Sequence, residues 1–248
     1  MNDYKRRRLG AIPPVVKNLI MINVILFLAT LVMQGTFGFD LSRYLALFHI
    51  KSEYFRPYQF VTHMFMHGGI MHIFFNMFAL WMFGRVLESV WGPRRFFIYY
   101  MITGLGAALV HMTVLYIQYK SLEAQMSQEQ LEMVLSEGYR IFSQNQNFVD
   151  PQMGQMNILL NVRTVGASGA VFGILLAFGM LFPNTQLMLL FPPIPIRAKY
   201  FVLIYGGIEL WLAFTQPGSN IAHFAHLGGM LFGFLLIQFW KRDRGKFY

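Results

Sequence analysis

Ser168 lies in the stretch Gly166-Ala167-Ser168-Gly169-Ala170-Val171-Phe172-Gly173, between a polar loop and a short apolar run that ends at Phe182. A serine among small residues at the start of an apolar helix is either a packing residue or a nucleophile. A nucleophilic serine needs a base within hydrogen-bond reach, and His226, in the last apolar run, can take the hydroxyl proton and return it to a leaving group. The first N–H groups of a helix lack intrahelical partners and sit at the positive end of its dipole, which suits a developing oxyanion. His72 and Asn76, four residues apart on one helical face, offer further donors to the same charge.

The other ionisable groups are less suited to chemistry. His63 and His67 are four residues apart and His223 precedes His226 by one turn, but no His-Glu-x-x-His sequence occurs, so no metal ligand and no cofactor are assigned. The chain has no cysteine, which removes thiol nucleophiles and disulfides. Glu88 and Glu209 lie near a helix end and inside a different apolar run. They read as tertiary hydrogen-bond partners rather than as a proton path.

The elements that must position these groups follow from composition. Of 248 residues, 56% are hydrophobic and 12% charged, and the mean hydropathy is +0.45. Such a chain is an all-α polytopic membrane protein rather than a soluble one. Its formal net charge of +9 sits at the edges of apolar runs, which points to membrane orientation and not to nucleic acid. Six spans are expected: 15–33, 70–91, 96–119, 168–182, 200–214 and about 220–240. The first is too long for a secretory signal, and no small-x-small cleavage site follows it cleanly.

Around the spans, residues 1–14 form a basic cytoplasmic segment, 15–240 the membrane domain and 241–248 a basic tail. Residues 34–57 read as an interfacial amphipathic loop. Residues 120–163 read as a long external loop with one amphipathic helix near 121–138, and 183–199 as a proline-rich cytoplasmic connection. Lys5 to Arg8, Arg94, Arg95, Arg197, Lys199 and Lys241 to Lys246 fall on one side, while most acids fall on the other. Both termini are therefore expected inside.

Counting from the inner ends Phe182, Trp240 and Trp91 puts Ser168, His226 and Asn76 each about 22–24 Å above the inner boundary of a hydrocarbon layer about 30 Å thick. His72 is one turn further out. The run from Ser168 is too short to reach the outer face, so its N-terminus is expected to line a water-accessible cavity. Gly169 and Gly173, with Gly229 and Gly233, form small-xxx-small pairs that let two helices approach closely, bringing Ser168 towards His226.

His67-Gly68-Gly69-Ile70-Met71-His72-Ile73-Phe74-Phe75-Asn76, Gly166-Ala167-Ser168-Gly169 and Ala225-His226-Leu227-Gly228-Gly229 together resemble the rhomboid intramembrane serine proteases, over about 58–240. The resemblance implies a six-helix core with a Ser168–His226 dyad and no cofactor. It puts His72, Asn76 and the Ser168 N–H at the oxyanion hole, Gly166 in the loop supporting it, and His67 above the site in a structural role. It also implies transmembrane proteins as substrates, entering sideways near the fifth span and the loop Thr215-Gln216-Pro217-Gly218. Phe172 stands where some members carry a tyrosine on the catalytic histidine. A Trp-Arg pair of several members is replaced by Phe55-Arg56, and the 120–163 loop is longer than in compact bacterial members.

The expectation is thus an intramembrane serine endopeptidase in the inner membrane of a bacterium. Two rivals are an inactive relative that binds transmembrane helices and a small transporter. The intact Ser168 and His226 weigh against the first, and the lack of a repeat and of a carboxylate in the cluster weighs against the second.

Overall fold

The computed structural model describes residues 12–188, 193–215 and 222–242. Most of the basic segments at the two ends (1–11 and 243–248) and most of the Thr215-Gln216-Pro217-Gly218 loop lie outside these residues. Helix α1 (Pro14–Phe37) opens the fold and ends at Gly38 in the left-handed conformation. A one-turn helix Ser42–Leu45 and another at Gln59–Thr62, running into a 3₁₀ turn His63–Phe65, follow it. α2 (Ile70–Trp91) is continuous but contains a π-helical turn at Leu80–Gly84. α3 (Pro93–Glu123), α4 (Gln128–Ser143), α5 (Pro151–Asn161) and α6 (Ser168–Leu181) come next. Antiparallel strands β1 (Gln186–Met188) and β2 (Pro195–Arg197) lead to α7 (Ala198–Thr215) and α8 (His223–Arg242).

Among the described residues, α1, α2, α3 and α8 are long and apolar enough to cross a membrane, and α6 is apolar but shorter. The protein is therefore a largely helical, polytopic membrane bundle. α3, α6 and α8 form its centre, α7 packs against α6 and α8, and α1 and α2 close the other flank.

Two local features differ from the sequence reading, and Glu88 takes the tertiary hydrogen-bond role expected of it. The 120–163 segment holds two helices, because its polar linker divides it: Ser127 and Gln130 form a reciprocal capping box for α4, and Asp150 caps α5 through the N–H groups of Gln152 and Met153. The proline-rich connection contains a short hairpin, Gln186 opposite Arg197 and Met188 opposite Pro195. Glu88 is the acceptor for the first turn of α1: its two carboxylate oxygens take the Val16 N–H at 2.8 Å and the Val15 N–H at 3.0 Å. Pro13 offers no side-chain cap, so a carboxylate distant in sequence supplies one.

The segment between α1 and α2 is folded around Gln59, whose amide donates to the Tyr54 and Tyr44 carbonyls at 2.9 and 3.2 Å. Its oxygen accepts from the Arg56 N–H at 3.1 Å. Leu47 and Thr164 exchange backbone hydrogen bonds of 2.9 and 3.0 Å, and the Gly166 N–H donates to the His63 carbonyl at 2.9 Å. An Asp40–Arg163 ion pair joins the same two segments. The chain before α6 is thereby held from the side by the segment between α1 and α2.

Candidate active site

Ser168 is the first residue of α6, preceded by Ala167 with no side-chain cap. Its N–H belongs to the first turn, where no intrahelical acceptor exists. His226 is in the first turn of α8 and is 8% exposed. Its Nε2 lies 2.9 Å from Ser168 Oγ. Two helices far apart in sequence thus present a hydroxyl and an imidazole nitrogen within hydrogen-bond reach.

Close packing makes this approach. A Cβ on Gly229 would stand 1.9 Å from the Gly169 carbonyl oxygen, so α8 rests directly on the backbone of α6 beside Ser168. A Cβ on Gly233 would meet Tyr99 Oη at 2.3 Å; that hydroxyl, from α3, donates to the Gly173 carbonyl at 2.8 Å. The glycines of α6 admit α8, as the sequence reading expects, and a second helix besides. Gly169 and Gly173 face Ala107 and Thr103 of α3 as well as α8: a Cβ on Gly169 would lie 2.4 Å from Ala107 Cβ and 3.6 Å from the Ala225 carbonyl oxygen of α8, and one on Gly233 would lie 3.4 Å from Gly173 Cα. Small residues on α6 therefore admit both α3 and α8, and those on α8 admit α6.

The His226 ring is fixed on its face by Phe172, which stacks on it at 4.1 Å between centroids and 6° between planes. Tyr205 of α7 also stacks on Phe172, at 5.0 Å between centroids. The sequence reading kept the aromatic ring at 172 but had no signal for Tyr205.

The edge of the ring brings the main correction. Glu209 is not remote from the cluster: its Oε2 lies 2.9 Å from His226 Nδ1 and 2.7 Å from His223 Nδ1. The cluster thus contains a carboxylate. Since a carboxylate accepts only, both Nδ1 atoms are donors, which leaves His226 Nε2 to accept from the Ser168 hydroxyl. One ligand atom from each of Glu209, His223 and His226 lies within 4.8 Å of the others, a grouping that could hold a metal ion. The two N–H to carboxylate bonds satisfy these atoms without one.

His72 and Asn76 lie on the first turns of α2. The Gly68 N–H approaches His72 Nδ1 at 3.4 Å, which leaves Nε2 as the protonated nitrogen. A Cβ on Gly166 would be 2.7 Å from His72 Nε2 and 3.6 Å from Ser168 Oγ, so both groups border the same small space. Gly166 keeps it open and has φ +125°, a conformation side chains resist. Asn76 Nδ2 donates one hydrogen to the His72 carbonyl at 3.0 Å, and its second hydrogen is available to a ligand. His67 is buried above, edge-on to His72 at 5.0 Å, with neither ring nitrogen bonded among the described residues. Burial pushes its pKa down to about 3, so it stays neutral.

His72, Asn76, Ser168 and His226 line a cavity of about 2020 Å³. Its walls run from Phe75 and Met82 of α2 to Phe201 and Tyr205 of α7, and outward to Gln152 and Gln155 of α5. Such a site can form a covalent bond through a serine oxygen while donors hold an oxyanion nearby.

The rhomboid domain model matches residues 54–242. Rhomboid protein 1, mitochondrial, of Saccharomyces cerevisiae is 25% identical over 69% of this chain and 38% of its own length. Rhomboid-like protein 11, chloroplastic, of Arabidopsis thaliana is 27% identical over 73% of this chain and 51% of its own. RHOMBOID-like protein 12, mitochondrial, of the same plant is 29% identical over 70% and 44% respectively. The matches thus take in about half or less of the relatives' lengths. With the matched domain covering the helices that carry Ser168, His226, His72 and Asn76, the chain belongs to the rhomboid family.

Proposed function

We propose that the protein is an intramembrane serine endopeptidase. The observation that carries this reading is the 2.9 Å contact between Ser168 Oγ and His226 Nε2 inside the cavity. Ser168 Oγ attacks the scissile carbonyl as its proton passes to His226 Nε2. The oxyanion is held by the Ser168 N–H, His72 Nε2–H and Asn76 Nδ2–H, at the space that Gly166 keeps open. His226 then protonates the leaving amine, and water releases the acyl group by the same steps reversed. No metal or organic cofactor takes part.

The substrates proposed are transmembrane proteins whose helix enters from the lipid between α2 and α7. Exposed apolar side chains on both helices, such as Met71 and Phe74 on α2 and Leu203 and Trp211 on α7, are compatible with lipid on that side. In membrane terms the proposal is six spans, α1, α2, α3, α6, α7 and α8, with a basic segment and tail (1–14 and 241–248) inside and α4 and α5 outside. The setting proposed is the inner membrane of a bacterium, while the names of the relatives place those proteins in mitochondria and chloroplasts.

The test is cleavage of a model transmembrane substrate by the purified, reconstituted protein. Wild type is expected to cut, Ser168→Ala and His226→Ala to be inactive, and a fluorophosphonate probe to label wild type but not Ser168→Ala. Cleavage that persists in Ser168→Ala refutes the mechanism. Failure of wild type to cut any substrate or take the probe favours an inactive relative that binds helices. Loss of activity with chelator would reassign Glu209, His223 and His226 to a metal.

A further inference from the structure

Glu209 sits mid-way along α7 and is 5% exposed, although its neighbours Ile208 and Leu210 are exposed on the helix surface. A buried carboxylate within an apolar helix is costly unless its oxygens are bonded. Here one oxygen, Oε2, receives N–H groups from two histidines of α8. Such a contact could do no more than tie α7 to α8. The atom it engages says otherwise.

His226 has two ring nitrogens, and Ser168 uses Nε2. A neutral imidazole carries one proton, and a carboxylate can only accept it, so Glu209 fixes that proton on Nδ1 and leaves the Nε2 lone pair for the serine hydroxyl. Phe172 sets the plane of the ring by stacking, while Glu209 sets its rotation within that plane. His223 engages the same oxygen at 2.7 Å and so holds the carboxylate in place.

The geometry points to Glu209 as a positioning residue that turns the Ser168–His226 pair into a Ser–His–Glu triad, with His223 as its anchor. The inference rests on the protease reading above. During attack the Oγ–C bond forms and the serine proton moves to His226 Nε2, while Nδ1–H stays on the ring. Glu209 remains a carboxylate and stabilises the imidazolium. The Nε2 proton then goes to the amine as the C–N bond breaks. In the second half water gives its proton to Nε2 as its oxygen bonds to the acyl carbon, and the proton then passes to Ser168 Oγ as the acyl carbon–Oγ bond breaks.

The experiment compares reconstituted wild type, Ser168→Ala, Glu209→Gln and Glu209→Asp for kcat, KM and thermal unfolding. Glutamine is nearly isosteric, but its amide can donate to Nδ1 and so put the ring proton on Nε2. Glu209→Gln is expected to lower kcat by about 10²–10⁴-fold with KM and unfolding temperature unchanged. Glu209→Asp, which restores the carboxylate, is expected to recover part of that loss. Wild-type kcat in Glu209→Gln, with Ser168→Ala inactive, overturns the inference and leaves the protease reading standing. If wild type fails to cut, or Ser168→Ala still cuts, it is the protease reading that fails.

A second measurement serves if Glu209→Gln does not fold. Nitrogen-15 NMR of histidine-labelled wild type, with His226→Gln to assign the signal, is expected to find Nδ1 of His226 protonated and Nε2 not. The reverse tautomer at neutral pH would sink the triad.

Discussion

Gly229→Ala tests how closely α6 and α8 must sit for Ser168 to meet His226. The added Cβ would lie 1.9 Å from the Gly169 carbonyl oxygen and 2.7 Å from its carbon. Carbon and oxygen approach no closer than about 3.3 Å even in favourable C–H to oxygen contacts, so the helices must part by about 1.4 Å. The obstructing atoms are backbone and cannot rotate away. Gly169 follows Ser168 directly, and His226 is one turn before Gly229, so the movement is passed to the 2.9 Å Ser168–His226 contact and takes it beyond hydrogen-bond range. A misplacement of about 1 Å can cost about 10²-fold in rate. Overpacking of this kind also costs about 1–3 kcal/mol of stability. The assay is kcat/KM on a reconstituted transmembrane substrate, with thermal unfolding alongside. Gly35→Ala, whose Cβ would meet nothing within 4 Å, is the control and is expected to match wild type. Activity of Gly229→Ala within threefold of wild type would refute the claim that this glycine sets the spacing.

Phe172→Ala removes the ring stacked on His226; aromatic pairs contribute about 0.5–1.5 kcal/mol, so kcat/KM is expected to fall by about 2- to 12-fold while Phe172→Tyr stays close to wild type. Glu88→Ala uncaps α1 and is expected to cost about 1–2 kcal/mol in detergent unfolding, with activity per folded molecule unchanged. The pKa of His49, in the segment between α1 and α2, is held down to about 4 by burial. The unfolded chain takes up this proton near pH 6.5 and the folded one does not, so His49 has its full stabilising effect above that pH and loses it as pH falls towards 4. His49→Asn is expected to flatten the dependence of unfolding temperature on pH between 7.5 and 5, and an unchanged slope would count against it.

Much of the site was legible because membrane chemistry makes polar residues rare. Ser168, His226 and Asn76 stood out against apolar runs, and counting residues from the inner ends put them at one level. The same counting set Glu209 aside, since it measures to the Cα of a helix assumed upright and neglects how far a glutamate side chain reaches. The rarity of a carboxylate inside an apolar run was the signal that could have outweighed the count. Tyr205 gave no such signal, because an aromatic residue in α7 is ordinary wherever it faces. Gly169 and Gly173 were legible as sites where α8 approaches but not as sites where α3 also presses in, since a small residue records a missing side chain and not the number of its neighbours. In the 120–163 segment, the second helix was missed because its weakly amphipathic run, Pro151–Asn161, is short and rich in glutamine and asparagine.

The π turn in α2 has a bearing on how one helix serves two ends of the molecule. Asn76 borders the cavity, and Glu88, further along the same helix, caps α1; both are buried. At about 100° per residue, a regular α-helix would aim these two side chains about 120° apart. A π turn that absorbs one residue reduces this to about 20°, so a single face carries both duties. Removing one residue from Leu80–Gly84 would restore a regular α turn and keep Glu88 on this face, whereas inserting one would leave Glu88 chemically intact yet swing it about 100° away from α1. In this stretch the number of residues sets the azimuth of everything below it, whatever their identity.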